Sequence, residues 1–301
     1  MLKYIYSLSL IFFFNKMLLQ AQQDSFFLEQ GVWIEKLDPI KSKNDVLSYT
    51  YDNQIYKAGT AFTYSLKMED SLQNQYVCNF YHLDNFPAPD WELVSERAAD
   101  STSVRYLTME VPRTAVFEHP AFLGTYTQTQ IRFDYKNTHK ATFGRYYPAD
   151  HWNPDYQGKF ISDGEGTGLI ENKKNIWMHP PRTRYFGINQ LTPYPLIQFP
   201  IVVGTKWSWE LLVGGHWGNK RWAEWKENVL VTSAYEVKEK IILNTAFGKL
   251  ECYRVACEGK SPFGKTYLTY YFNPDYGFVL MEFTSIDGKK TILELIEKSK
   301  F

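Results

Sequence analysis

The chain is poor in cysteine, with three in 301 residues. An odd count that small cannot staple a disulfide scaffold. Cys252 and Cys257 lie five apart in Leu250–Glu258, a stretch that reads as a strand, so they point to opposite faces and make poor partners. Three buried free thiols is the favoured reading, with a bridge from Cys78 left open. There is no C-x-x-C, and His82, His119, His139, His151, His179 and His216 show neither i, i+4 nor H-x-H spacing. A zinc site is therefore not expected, and no metal or cofactor is read from the sequence. Asp150, His151 and Asp155 are a weak metal pattern. The acidic, glycine-rich run Asp163–Gly168 lacks the spacing of a calcium loop or a phosphate loop. Both read as solvated turns. G-x-S-x-G is missing, so no acyl-enzyme nucleophile is marked. No catalytic residue can be named.

Charge of one sign is also lacking, since Lys+Arg 33 equals Asp+Glu 33. That removes the sequence-independent attraction on which nucleic-acid binders depend. Apolar runs of membrane length are missing too. The longest, Tyr4–Phe14, falls short of the roughly 20 residues a spanning helix needs. Lys3 precedes it and Ala21 follows it, the layout of a secretory leader over residues 1–21. An uncleaved anchor is the alternative, disfavoured by Lys16 within the apolar stretch. The expected product is exported to the periplasm or the medium, without an integral membrane span. Loss of Lys3 and Lys16 leaves it two charges acidic.

What the chain has in quantity is aromatic side chains, at 17%, and these favour strands. Sustained 3.6-residue periodicity is absent, while period-two alternation recurs between turn formers. Val229, Val231, Ser233, Tyr235 and Val237 alternate with polar or small neighbours. In Lys206–Val213, Trp207, Trp209, Leu211 and Val213 share one face. Further strands are read at Val46–Tyr51, Gly59–Met68, Tyr76–Leu83, Val104–Val111, Thr127–Tyr135, Thr142–Tyr147, Thr266–Phe272, Phe278–Ile286 and Lys289–Ile296. Asp287-Gly288 predicts a two-residue type I′ hairpin pairing Phe283 with Ile292 and Leu280 with Leu295, covered on both faces. Residues 148–175 read as a long connection, the prolines from Pro180 to Pro200 as extended chain, and Trp91–Ala99 as a short helix. The expected fold is mainly β: a curved antiparallel meander, as an open half-barrel or a two-layer architecture. Residues 22–200 form an irregular β-rich region and 201–301 a meander, with any boundary between 175 and 204.

Three C-terminal stretches carry a resemblance. They are Val203-Gly204-x-x-Trp207-x-Trp209, Thr245-x-Phe247-Gly248 running to Cys252-Tyr253, and Tyr271-Phe272-Asn273-Pro274-Asp275-Tyr276-Gly277-Phe278. In this order they resemble uncharacterised exported bacterial β-sheet proteins, grouped as TapB-like or domain-of-unknown-function families. The middle stretch departs, with Phe before Gly rather than after it. The resemblance covers about residues 200–296. It implies a curved antiparallel sheet, and neither an activity nor a site residue.

Two places could hold a ligand. One is Ile176–Arg184, where His179, Arg182 and Arg184 beside Trp177 could bind a carboxylate or another anion through the guanidinium fork. A rigid strap between layers is the favoured alternative. The other is the loop around His216 and Trp217, freed from strand packing by Gly214, Gly215 and Gly218. Trp207 and Trp209 are assigned mainly to the core, although exposed tryptophans in an exported β protein would suit sugar stacking. The leading functional expectation is a non-catalytic exported protein that binds a hydrophobic molecule, a glycan or an envelope partner on the concave face of its sheet. A secreted polysaccharide hydrolase, with a carboxylate pair not locatable in sequence, is the second. An assembly protein using a sheet edge is the third.

Overall fold

Alternation builds the sheet where it was read. Val229, Val231, Ser233, Tyr235 and Val237 are all buried, while Leu230, Ala234 and Lys238 between them are exposed. The computed structural model describes residues 26–35, 53–82, 106–112, 122–133, 140–146, 157–182, 184–220 and 222–301. Its strands are β1 (Phe26–Glu29), β2 (Val32–Glu35), β3 (Thr60–Glu69), β4 (Gln75–His82), β5 (Tyr106–Pro112), β6 (Phe122–Tyr126), β7 (Gln128–Phe133), β8 (Lys140–Tyr146), β9 (Phe160–Glu171), β10 (Asn175–Met178), β11 (Leu196–Gln198), β12 (Lys206–Val213), β13 (Val229–Thr245), β14 (Gly248–Ser261), β15 (Gly264–Asn273), β16 (Gly277–Thr284) and β17 (Lys290–Lys300). The leader, the strand read at Val46–Tyr51, the helix read at Trp91–Ala99 and the Asp150-His151-Asp155 pattern lie outside the described residues.

Among the described residues β1 and β2 pair only with each other, while the remaining strands form one antiparallel sheet. Its main path runs β11-β10-β9-β8-β7-β3-β17-β16-β15-β14-β13-β12, and β4 branches off to β5 and β6. β17 pairs with β3 from Lys290↔Glu69 to Lys300↔Thr60, which joins the end of the chain to its first half. The sheet is open, since its end strands β11 and β12 do not pair. Bulges at Val237/Glu239, Tyr271/Phe272 and Leu295/Glu297 break the register, and such bulges bend and twist strands. One core then collects rings from distant strands. Tyr56, Phe62, Phe133 and Phe278 pack with centroids 4.8–6.4 Å apart.

The last hairpin corrects the expected register by one residue. Phe283 faces Thr291 and Met281 faces Leu293. The loop has three residues, Ile286 to Gly288, closed by Ser285 N–H to the Lys289 carbonyl at 2.9 Å. A type I′ turn needs positive φ at both central residues, and only Gly288 has it here. Ile286 instead packs beside the buried cluster of Leu191, Val213 and Val231. One hairpin face is core, with Met281, Phe283, Thr291 and Leu293 buried; the other is only half-buried.

Residues 148–175 are not one connection, because Phe160–Glu171 is strand β9, paired with β8, and β10 begins at Asn175. The run Asp163–Gly168 is thus strand, not turn. Gly168 lacks a side chain because the Trp177 ring lies over it: a Cβ there would meet that ring at 2.9 Å. The proline-rich stretch is not extended throughout either, since Arg184–Leu191 is a 3-10 helix. Residues 186–197 are buried across the inner sheet face. The Tyr235 hydroxyl donates to the Tyr194 carbonyl (2.9 Å), Thr266 Oγ1 to that of Leu191 (2.8 Å) and the Tyr270 hydroxyl to that of Leu196. Inward hydroxyls of the sheet thereby satisfy the carbonyls of a buried strap. The strap fills the face on which a ligand was expected.

Candidate functional site

The two ends of the sheet meet at a seam. Trp209 on β12 lies 6.1 Å from Trp177 on β10 and 4.6 Å from Tyr194, centroid to centroid. The β1–β2 hairpin bridges this seam. Towards β12, the Glu210 N–H donates to the Gln30 carbonyl at 3.2 Å. Towards β10 and β11, Gln198 Nε2 donates to the Gly31 carbonyl (3.2 Å), Asn172 Nδ2 to the Trp33 carbonyl (2.8 Å), and the Trp33 N–H to Asn175 Oδ1 (2.6 Å). The hairpin turns on Gln30 (φ 50°) and Gly31 (φ 96°), both left-handed, as a type I′ turn requires. Gly31 also presses on β12, where a Cβ would stand 2.4 Å from the Ser208 carbonyl oxygen.

Between hairpin and sheet lies an open cleft of about 430 Å³. Leu28, Gln30, Gly31 and Trp33 form the hairpin wall, Trp207 to Glu210 form the sheet wall, and Gln198 of β11 also lines the cleft. Trp209 is buried, as the sequence suggested, but Trp207 is half-buried. The Trp207 ring stacks on Tyr235 at 5.4 Å with 7° between planes. Lys174 places its ammonium 5.9 Å from the Trp33 ring. The lining thus mixes aromatic faces with two amides, a hydroxyl and one carboxylate, that of Glu210. Hydroxyls and amides both donate and accept, so such a wall suits a ligand with an apolar face and a polar rim.

The residues singled out in the sequence come together elsewhere, behind Trp209. His179 is buried, with its ring 4.4 Å from that of Tyr194 and 5.9 Å from that of Trp177. Arg182 Nη1 donates to His179 Nε2 at 2.9 Å. Arginine cannot accept, so the imidazole proton sits on Nδ1 and is donated to the Pro180 carbonyl at 2.9 Å. Burial, reinforced by the Arg182 charge, lowers the His179 pKa to about 3. Both ring nitrogens are engaged inside the protein. The Arg182 guanidinium lies 5.4 Å from the Trp217 ring, and His216 packs on Trp217 at 5.2 Å. Trp217 packs against Leu191, Val213 and Val231, and its carbonyl accepts the Trp222 indole N–H at 3.3 Å. Trp177, His179, Arg182, Trp217 and His216 are one chain of contacts that ties strap to loop, and none of them lines the cleft.

The sequence reading passed over Trp33, Gln30 and Gln198. Its only hint of the cleft was the tryptophan pair on β12. Cys252 and Cys257 are buried and unpaired. Burial pushes the Cys252 thiol up to about 11 and that of Cys257 well above its ordinary value, so neither is primed as a nucleophile. Among the described residues no cluster of three or more His, Cys, Asp or Glu could hold a metal ion, and no helix is long and apolar enough to cross a membrane.

No protein-family model matches the chain, and no curated protein matches it. Among solved structures it is similar to the hypothetical lipoprotein YmcC of Escherichia coli, with TM-score 0.31 and 10% identity over 58% of this chain and 80% of that one. It is similar to a provisionally assigned lipoprotein of Parabacteroides distasonis, with TM-score 0.28 and 13% identity over 81% of this chain and 97% of that one. A provisionally assigned exported protein of Bacteroides fragilis with a YmcC-like fold gives TM-score 0.29, 13% identity and the same coverage. Likeness at this level carries no argument about this chain. Nothing among these matches supports the TapB-like grouping.

Proposed function

We propose that the protein is an exported, non-catalytic binding protein whose ligand, a hydrophobic molecule or a glycan, sits in the seam cleft. The observation that carries this reading is the cleft itself: a 430 Å³ opening with Trp33 on one wall and Trp207 on the other. That volume lies in the ~300–1,000 Å³ range of small-molecule sites. The apolar run at Tyr4–Phe14 supports export. A glycoside hydrolase would need two carboxylates facing the bond to be broken, and among the described residues Glu210 is the one acid lining the cleft. Assembly by strand addition would need a free edge, and at β12 the Gln30 carbonyl already takes the Glu210 N–H. Trp177, His179, Arg182, His216 and Trp217 serve this reading as the wall behind Trp209.

Native mass spectrometry of the protein purified from its own host tests the reading. A bound non-protein mass that disappears in Trp33→Ala is expected. A bound mass indifferent to Trp33→Ala, or no bound mass together with turnover of a polysaccharide, would reverse it.

A further inference from the structure

We infer that the cleft takes a neutral saccharide, seated against both Trp33 and Trp207 and held at its rim by Gln30, Gln198 and Glu210. This rests on the reading of the cleft as the binding site and narrows it to one chemical class.

The two tryptophans come from separate walls, the hairpin and β12. Trp207 is backed by the near-parallel Tyr235 ring, so its position is set before any ligand arrives. Fixed flat apolar faces suit the C–H face of a pyranose and cost little ordering on binding. The polar lining then separates sugar from lipid. An acyl chain would strip water from the Gln30 and Gln198 amides and the Glu210 carboxylate and return no hydrogen bond, a penalty largest for the charge. Sugar hydroxyls donate to the carboxylate and both donate to and accept from the amides. Charge separates neutral from acidic sugars. Among the described residues Glu210 is the only ionisable group lining the cleft, so a uronate or phosphate would meet a like charge with no cation among them to offset it. Lys174 lies against Trp33 but does not line the cleft.

The test is isothermal titration of the full chain, guided by an array of neutral and acidic oligosaccharides, with oleic acid as the apolar probe. Trp33→Ala and Glu210→Ala are the variants; Glu210 is exposed, so its loss spares the core. The expected result is binding of a neutral oligosaccharide, weakened about tenfold or more by Trp33→Ala and measurably by Glu210→Ala, with circular dichroism unchanged. With the same sensitivity to Trp33→Ala, oleic acid bound in preference would overturn the saccharide class and an acidic oligosaccharide bound in preference would overturn its neutrality, each leaving the cleft as the site. Saccharide binding indifferent to both variants, or no binding by any probe, would overturn the inference. The bound mass sought by mass spectrometry then decides the broader reading separately.

Discussion

His179 offers the sharpest quantitative test of the buried strap. In the folded protein it is neutral, with Nε2 accepting from Arg182 and Nδ1–H donating to Pro180. Its pKa falls from 6.5 to about 3 on folding, chiefly through burial. Between those values the unfolded chain binds a proton that the folded chain refuses, so stability is fullest above pH 6.5 and declines as pH falls towards 3. Each pH unit inside that window costs at most ~1.4 kcal/mol, so going from about pH 7.5 to about pH 5 costs about 2 kcal/mol from this residue alone. His179→Gln keeps an acceptor for Arg182 and has nothing to titrate. Urea unfolding of both proteins across this range, compared at each pH, isolates the effect from all other titrating groups. The wild type should lose about 2 kcal/mol relative to the variant. Parallel stability curves would mean that the imidazole titrates alike in the folded and unfolded chain, as a hydrated group does, and the packed strap would be wrong.

Three further outcomes are expected. Gly277→Ala puts a Cβ 2.2 Å from the Tyr56 hydroxyl oxygen at φ +77°, and should cost more than about 3 kcal/mol in urea unfolding; Gly248→Ala, also at positive φ but facing open space, should cost only about 1 kcal/mol. Glu171 takes three consecutive backbone N–H groups from Gln54, Ile55 and Tyr56 at 2.7–2.9 Å, so Glu171→Gln, which keeps one acceptor oxygen and adds donors, should lower stability by about 2–3 kcal/mol. Gly31→Ala should push the hairpin off Ser208 while leaving the sheet folded. Hydrogen exchange would then speed up at Glu210, with β14–β16 unchanged, and equal protection at Glu210 would show that the hairpin does not clasp the seam.

Strand identity was legible wherever one face is buried and the other wet. β12 and β13 were readable residue by residue because Trp209, Val213, Val231 and Tyr235 fall on one side of a two-residue repeat. Turns were less so. Asp287-Gly288 carries the stronger type I′ signal, yet the docking of Ile286 converts it to a three-residue loop. Gln30-Gly31 carries a weaker signal and makes the two-residue turn. β9 was hidden because its glycines look like turn formers, whereas Gly168 is small to admit the Trp177 ring from the next strand. The contact chain from Trp177 to His216 was half-legible: its members were named, but not their contacts with one another.

Local sequence determined that this chain makes strands, which side of most of them is apolar, and that its rings are interior material. It did so because side-chain direction in a strand repeats every two residues and needs no knowledge of neighbours. Only tertiary structure decided that the strap 186–197 fills the inner face, that β17 returns to β3, and that a hairpin near the N-terminus clasps two sheet ends. The cleft exists because Trp33, Gln198 and Trp207, far apart in the chain, become neighbours. Such contacts depend on the register and curvature of the whole sheet, which no short window of residues encodes.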